Sequence, residues 1–190
     1  GNMIASGAKV EDVDVHIKAK NGVINLDPMD LKLYGGFVDA MTIVNVQKNT
    51  PKIALKLLAD KIMVGPLMKD ALKKELIEGT MQSSLDLALA GDTPEMIKQT
   101  LTGKGEFVFN DGAIIGIDIA NSVRNVKAKL GLAEQTTEKP RTDFAEFKLP
   151  FKSKSGQVNI NGTSLVSPLL RVFASGDVML PKDAMDLRIE

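Results

Sequence analysis

The 190-residue chain carries 24 Lys+Arg against 24 Asp+Glu, a formal net charge of zero, and its 44% hydrophobic and 25% charged residues are those of a globular protein, not of a disordered or membrane-embedded one. Zero net charge without a long basic run argues against binding nucleic acid through its phosphates. The absence of cysteine excludes disulfides, thiolate ligands and a cysteine nucleophile, and a single histidine, His16, leaves a Ser-His-Asp arrangement one ring to rely on, so no enzymatic activity is expected.

Val13, Val15, Ile17 and Ala19 alternate with Asp14, His16 and Lys18, the period of a half-buried strand. Asn21-Gly22 follows, two residues that accept positive φ at low cost, and predicts a hairpin into Val23 to Leu26. Met29, Leu31 and Leu33 alternate again, Gly35-Gly36 is expected to turn the chain, and Phe37 to Val46 return as a strand. After the break at Pro51, Ile53, Leu55, Leu57 and Ala59 keep the period of two. At Pro66 the period changes. Leu67, Met68, Ala71, Leu72 and Leu76, with Lys69, Asp70, Lys73 and Lys74 between them, predict an amphipathic helix opened by the proline. Gly79 ends it, and Met81, Ser83, Leu85, Leu87 and Leu89 form a long alternating strand. Thr93 as N-cap, Pro94 at the first helical position, and Ile97 and Leu101 four apart predict a second short helix.

Gly105 to Phe109 reads as a strand with Phe107 and Phe109 on one face, and Asp111-Gly112 is expected to turn it so that Ala113 to Ile115 pairs back. A third helix is expected from Asp118, with Ile119, Val123, Val126 and Leu130 as its apolar stripe, Lys127 and Lys129 at its negative dipole end and Gly131 as its stop. Residues 133–142 contain no large apolar side chain and read as a mobile surface loop. A second β block follows in Phe147 to Phe151, Gln157 to Leu165, Leu170 to Leu180 and Met185 to Glu190, broken at Ser155-Gly156, Asn161-Gly162, Ser167-Pro168 and Pro181-Lys182-Asp183. The expected fold class is α+β: a long twisted, mostly antiparallel β-sheet with three short helices packed on one face. No apolar stretch reaches the roughly 18 to 20 residues of a membrane span. Gly1-Asn2-Met3 reads as a cloning scar, which leaves a native signal or anchor open.

Several segments occur together in one order: Leu33-Tyr34-Gly35-Gly36; Gly103-Lys104-Gly105-Glu106-Phe107 leading to Asp111-Gly112-Ala113 and an I-x-G-I-D-I run over residues 114–119; Thr142-Asp143-Phe144; Ser167-Pro168-Leu169-Leu170-Arg171-Val172; and Gly176-Asp177-Val178. In this order they resemble the C-terminal region of the AsmA family of bacterial envelope proteins, over roughly residues 25–190. The chain departs from that pattern at Ala174-Ser175, where the family often has a further glycine, and in the basic stretch from Lys148 to Ser155. The resemblance implies one AsmA-like C-terminal domain over residues 1–190, a piece of a longer periplasmic protein of a Gram-negative envelope. It also implies anchoring of that parent in the inner membrane through parts outside this chain, a role in outer-membrane biogenesis, and phospholipid as cargo along an apolar groove.

A lipid groove needs a sheet face that is apolar while its backbone stays hydrogen-bonded, and Leu85, Leu87, Leu89, Phe107, Phe109, Val158 and Ile160 are the candidates to line it. Ordinary core beneath the helices explains any one of them more simply. Lys148, Lys152 and Lys154 are candidates to meet anionic headgroups, with protection of an edge strand as the plainer alternative. Ser6-Gly7-Ala8-Lys9 has the S-x-x-K spacing of a lysine-assisted serine hydrolase without its partner motifs, and Gly103-x-Gly105 lacks the third glycine of a dinucleotide loop. Asp12, Asp14 and His16 suit a solvated strand face better than a cation site. No cofactor or metal is expected. Phospholipid is the first expected partner; an interaction scaffold for outer-membrane protein targeting or assembly is the alternative.

Overall fold

The computed structural model describes residues 3–5, 7–117, 140–168 and 170–190. Within them the alternating runs form β1 (Met3–Ala5), β2 (Ala8–Lys20), β3 (Val23–Leu33), β4 (Gly36–Asn45), β5 (Lys52–Met63), β6 (Ile77–Ala90), β7 (Thr102–Ile115), β8 (Arg141–Lys154), β9 (Gln157–Asn159), β10 (Thr163–Val166), β11 (Arg171–Met179) and β12 (Ala184–Ile189). They make one antiparallel sheet that meanders in chain order from β1 to β12. β9 and β10 are two pieces of one broken strand between β8 and β11: β9 pairs with Lys152 to Lys154 and β10 with Glu146 to Lys148. Arg141 and Thr142, read above as the end of the polar loop, already belong to β8, and Thr142 is buried.

Asn21-Gly22 forms the expected tight hairpin, with φ of 50° and 73°, and Ser155-Gly156 repeats it between β8 and β9 with 49° and 78°. The turn after β3 falls one residue earlier than expected, on Tyr34 and Gly35. Gly36 instead opens β4, because its bare Cα passes the β5 backbone where a Cβ would lie 2.5 Å from the Lys61 carbonyl carbon. Asp111-Gly112 is not a turn at all. β7 runs straight through it, and Ala113 and Ile114 pair with Glu78 and Ile77 on one side and Asp143 and Thr142 on the other. Asp111 takes a single left-handed conformation (φ 49°) in a bulge, and Gly112 follows because a Cβ there would strike the Glu78 carbonyl oxygen. A D-G pair therefore bends a strand here that it was expected to end.

Two α-helices lie within the described residues, α1 (Val64–Leu72) and α2 (Pro94–Thr100). α1 starts two residues before Pro66 and stops at Lys73, whose left-handed φ of 56° leaves Leu76 outside the helix and exposed. α2 is as expected, with the Thr93 side chain accepting from the Met96 N–H at 3.3 Å and Pro94 in the first turn. The expected third helix, with Ile119 to Leu130, lies outside the described residues, as does the 133–139 part of the polar loop.

The helices do not form a layer over the sheet. α1 rests on one end, where Val64, Phe109, Phe144 and Leu165 make a small buried cluster joined by Met68, Ile77, Met81 and Phe147. α2 packs on β6 at its other end, near a 3₁₀ turn at Leu180–Lys182, where Lys98 pairs with Asp183 at 2.7 Å. Among the described residues only nine apolar side chains are buried, and the only large ones completely so are Ile62 and Val64. A domain of this length built as two packed layers would bury far more.

Candidate functional site

Strand alternation and register together set the apolar side chains in rows across one face. One row runs Leu26, Thr42, Leu55, Leu87, Gly103, Ser153 over six consecutive strands. The next runs Met29, Ala40, Leu57, Leu85, Gly105, Phe151, and a third Leu31, Val38, Ala59, Ser83, Phe107, Leu149. Ile24, Val44, Ile53 and Leu89 border them. The leucines of β5 and β6 in these rows are half-buried: they shield one another sideways without being enclosed. Every backbone group between them is held in the ladder, so an apolar surface is presented without orphaned N–H or C=O groups.

The other face of the same strands carries Lys56, Asp86, Lys104, Lys152 and Asn159 in register, a predominantly polar row. The two faces differ most over β6 to β8; on β4 and β5 the second face also carries the exposed side chains of Phe37, Met41, Ile43 and Leu58. An aromatic line strengthens the apolar side, Phe109 stacking on Phe147 at 5.5 Å and Phe107 lying 6.4 Å from Phe109 and 5.9 Å from Phe151. Gly105 makes room for it: a Cβ would sit 2.5 Å from Leu85 Cδ2 and 2.7 Å from the Phe151 ring. Ser83 is the one polar anomaly among the described residues, its Oγ buried on this face without a hydrogen-bond partner.

The candidates read from the sequence separate into groups. Leu85, Leu87, Leu89 and Phe107 share the half-buried face, and Val158 joins it in register with Ser153 and Val178. Phe109 is 5% exposed beneath α1 and is core. Ile160 lies just past β9, its N–H donating to the Gly176 carbonyl at 3.0 Å. Lys148, Lys152 and Lys154 lie on the opposite face from Phe147, Leu149 and Phe151, as a period of two requires, and Lys148 is paired with Glu106 at 3.1 Å. They cannot hold the headgroup of a molecule resting on the apolar side. Residues missed by sequence reasoning are those of β3 to β5, Leu26, Met29, Leu55 and Leu57, whose alternation was plain but whose membership of one continuous face needs the register.

Among the described residues titratable groups also converge in an open pocket of about 840 Å³ beside α1, lined by Lys9, Glu11, Tyr34, Asp70, Glu75 and Glu78 among others. The Tyr34 hydroxyl donates to Asp70 at 2.9 Å and accepts from the Lys9 N–H at 3.0 Å, while Lys9 Nζ reaches Asp70 at 3.4 Å. Burial pushes the Tyr34 phenol up, and the Tyr34 hydrogen bond holds the Asp70 carboxyl below its ordinary value. Both shifts favour the static pair of neutral phenol and ionised carboxylate, the reverse of an activated nucleophile or base. It works as a latch from β2 and the β3–β4 turn to α1. Asp12 is engaged by Lys32 at 2.9 Å, and among the described residues no group of three His, Asp or Glu is placed to hold a metal ion.

The family model for AsmA matches residues 2–163. The chain belongs to the AsmA family. The match includes the Leu33–Gly36 turn, the glycine-marked β7 and Thr142-Asp143-Phe144, and runs to the first residue of β10; the Ser167–Val172 and Gly176–Val178 segments of this AsmA-family chain lie beyond it. No curated protein and no solved structure matches the chain. Membership is consistent with a role in the cell envelope and outer-membrane biogenesis. Among the described residues no helix is long and apolar enough to cross a membrane.

Proposed function

We propose that this chain is a non-enzymatic, periplasm-facing domain that handles phospholipid in outer-membrane biogenesis, its parent protein held at the inner membrane through parts outside the chain. The observation that carries the reading is the set of half-buried apolar side chains brought into register across one face of β3 to β8. Acyl chains laid along it leave water at about 0.8 kcal/mol per methylene buried. No residue need bond them specifically, so they slide along the rows. The headgroup stays in water at the margin of the face, and the Ser83 hydroxyl is a donor for a lipid ester carbonyl reaching into the rows.

Native mass spectrometry with lipid extraction, on protein purified from a bacterial host, tests this. Co-purified phospholipid that disappears on Leu87→Glu or Phe107→Asp, in variants that keep the β signal in circular dichroism, is the expected result. A lipid-free protein would overturn the reading and favour the interaction scaffold for outer-membrane protein assembly.

A further inference from the structure

The second face of the sheet carries an apolar group of its own. Phe37, Met41 and Ile43 project from β4 and Leu58 from β5, all exposed, Phe37 at 54% and Leu58 at 59%. Both strands are paired on both sides, so these side chains stand in the interior of the sheet and not at an edge. Large apolar side chains grouped in the open mark a surface that meets a partner.

The register sets a charge pattern beside them. Asp14, Asp30 and Asp39 lie directly opposite one another on β2, β3 and β4, and Leu58 continues the row on β5. Like charges directly opposite are destabilising, and among the described residues none of the three carboxylates is in an ion pair or a side-chain hydrogen bond. The lysines that border the row have acids of their own: Lys32, opposite Phe37, pairs with Asp12 at 2.9 Å, and Lys56, opposite Met41, faces Asp86 on β6.

Asp39 is the centre of the pattern. Phe37 and Met41 flank it two residues away on its own strand and Leu58 opposes it, so a carboxylate stands among three exposed apolar side chains. A partner's arginine can lay its methylene stem on those three and its charge on the carboxylate. Beyond Leu58 the face dips into an open hollow of about 420 Å³ lined by Phe37, Leu58, Asp60, Ser84, Glu106 and Val108 among others. Its acids are already engaged, Asp60 accepting from Gln82 at 2.7 Å and Glu106 paired with Lys148 at 3.1 Å, so the hollow suits an apolar side chain better than a further base.

The spacing selects the form of the partner. Four neighbouring strands spread the row from Asp14 to Leu58 over about 14 Å. Positions i, i+3, i+7 and i+10 of an α-helix share one face and cover about 15 Å. An extended strand repeats on one face only every ~6.7 Å and is out of step by its third residue.

We propose that this face of β2 to β5 docks a basic amphipathic helix of another protein. The helix lies across the strands, with basic residues at i, i+3 and i+7 over Asp14, Asp30 and Asp39 and an apolar residue at i+10 over Leu58. The acidic row repels an anionic membrane surface, which disfavours that occupant. The site is on the opposite side of the sheet from the apolar rows of β3 to β8, so it holds whether or not those rows carry lipid.

Fluorescence anisotropy of the 190-residue chain with a labelled synthetic helical peptide tests it. The peptide carries arginine at i, i+3 and i+7 and leucine at i+10, and a control peptide has glutamate in place of arginine. The chain is expected to bind the first and not the second, with an affinity that falls as salt is raised. Asp30→Lys and Leu58→Ser, both at exposed positions and each checked for fold by circular dichroism, are expected to weaken binding by about tenfold or more. No binding of the arginine peptide, equal binding of the glutamate peptide, or binding that neither substitution changes would each overturn the proposal. So would the face being taken by a phosphatidylglycerol vesicle or by a second copy of this chain, seen as vesicle co-sedimentation or self-association that Leu58→Ser abolishes.

Discussion

Replacing Phe109 and Leu87 by alanine, one at a time, distinguishes packed core from open apolar face. Phe109 is 5% exposed, enclosed by Val64, Phe144 and Leu165 and stacked on Phe147 at 5.5 Å. Its truncation leaves a cavity that α1 cannot fill, so the expected cost is about 3–5 kcal/mol. Leu87 stands in a half-buried row. Alanine there removes three carbons, about 2.4 kcal/mol if they were fully buried. With part of the side chain already in contact with water and no closed cavity to leave, the expected cost falls to about 1.5–2 kcal/mol. Urea unfolding with an unchanged slope measures both, and in a chain of this size each kcal/mol also lowers Tm by about 2–4 °C. Equal losses for the two variants, near the Phe109 value, would mean that Leu87 is enclosed and that the apolar face is covered in solution.

Three further outcomes are expected. Tyr34→Phe lowers the urea midpoint at neutral pH and flattens its pH dependence at both ends. The raised Tyr34 pKa contributes stability below the ordinary phenol value that is lost as pH rises through the shifted one, and the lowered Asp70 pKa contributes stability above the ordinary carboxylate value that is lost as pH falls through the shifted one. A wild type with flat limbs would refute the latch. Ser83→Ala removes a buried hydroxyl without a partner, so lipid-free protein should be unchanged or stabilised by up to about 1 kcal/mol, and a clear loss of stability would show that the hydroxyl is bonded in solution. Lys148→Ala removes an exposed pair with Glu106 on the polar face, so stability should change by less than about 1 kcal/mol and any co-purified lipid should persist; loss of lipid would place the ligand on the other side of the sheet.

Much of the fold is legible in residue order because its interactions are local. A period of two is a property of one strand, and the runs at Val13, Ile53, Met81 and Phe147 became strands with those residues on one face. Asn21-Gly22 and Thr93-Pro94 act through their own φ and their own side chains, so the hairpin and the α2 cap followed from their identity. The resemblance to the AsmA family likewise rested on motifs in order, and the family match extends over residues 2–163.

Other outcomes depended on partners distant in the chain. Asp111-Gly112 has the chemistry of a turn, yet β7 passes through it because β6 and β8 pair with residues 113 and 114. Gly36 is a glycine for the sake of Lys61, 25 residues on. Whether Phe109 and Leu87, both apolar and both at alternating positions, end as core or as open face is decided by where α1 lands, and it lands on the first and not on the second. Composition and alternation by themselves determined that this chain is β-rich, built of strands that alternate apolar with polar residues. Only the tertiary arrangement decided how much of their apolar side is buried, because burial is a property of what lies above a strand, and a strand's own residues do not encode it.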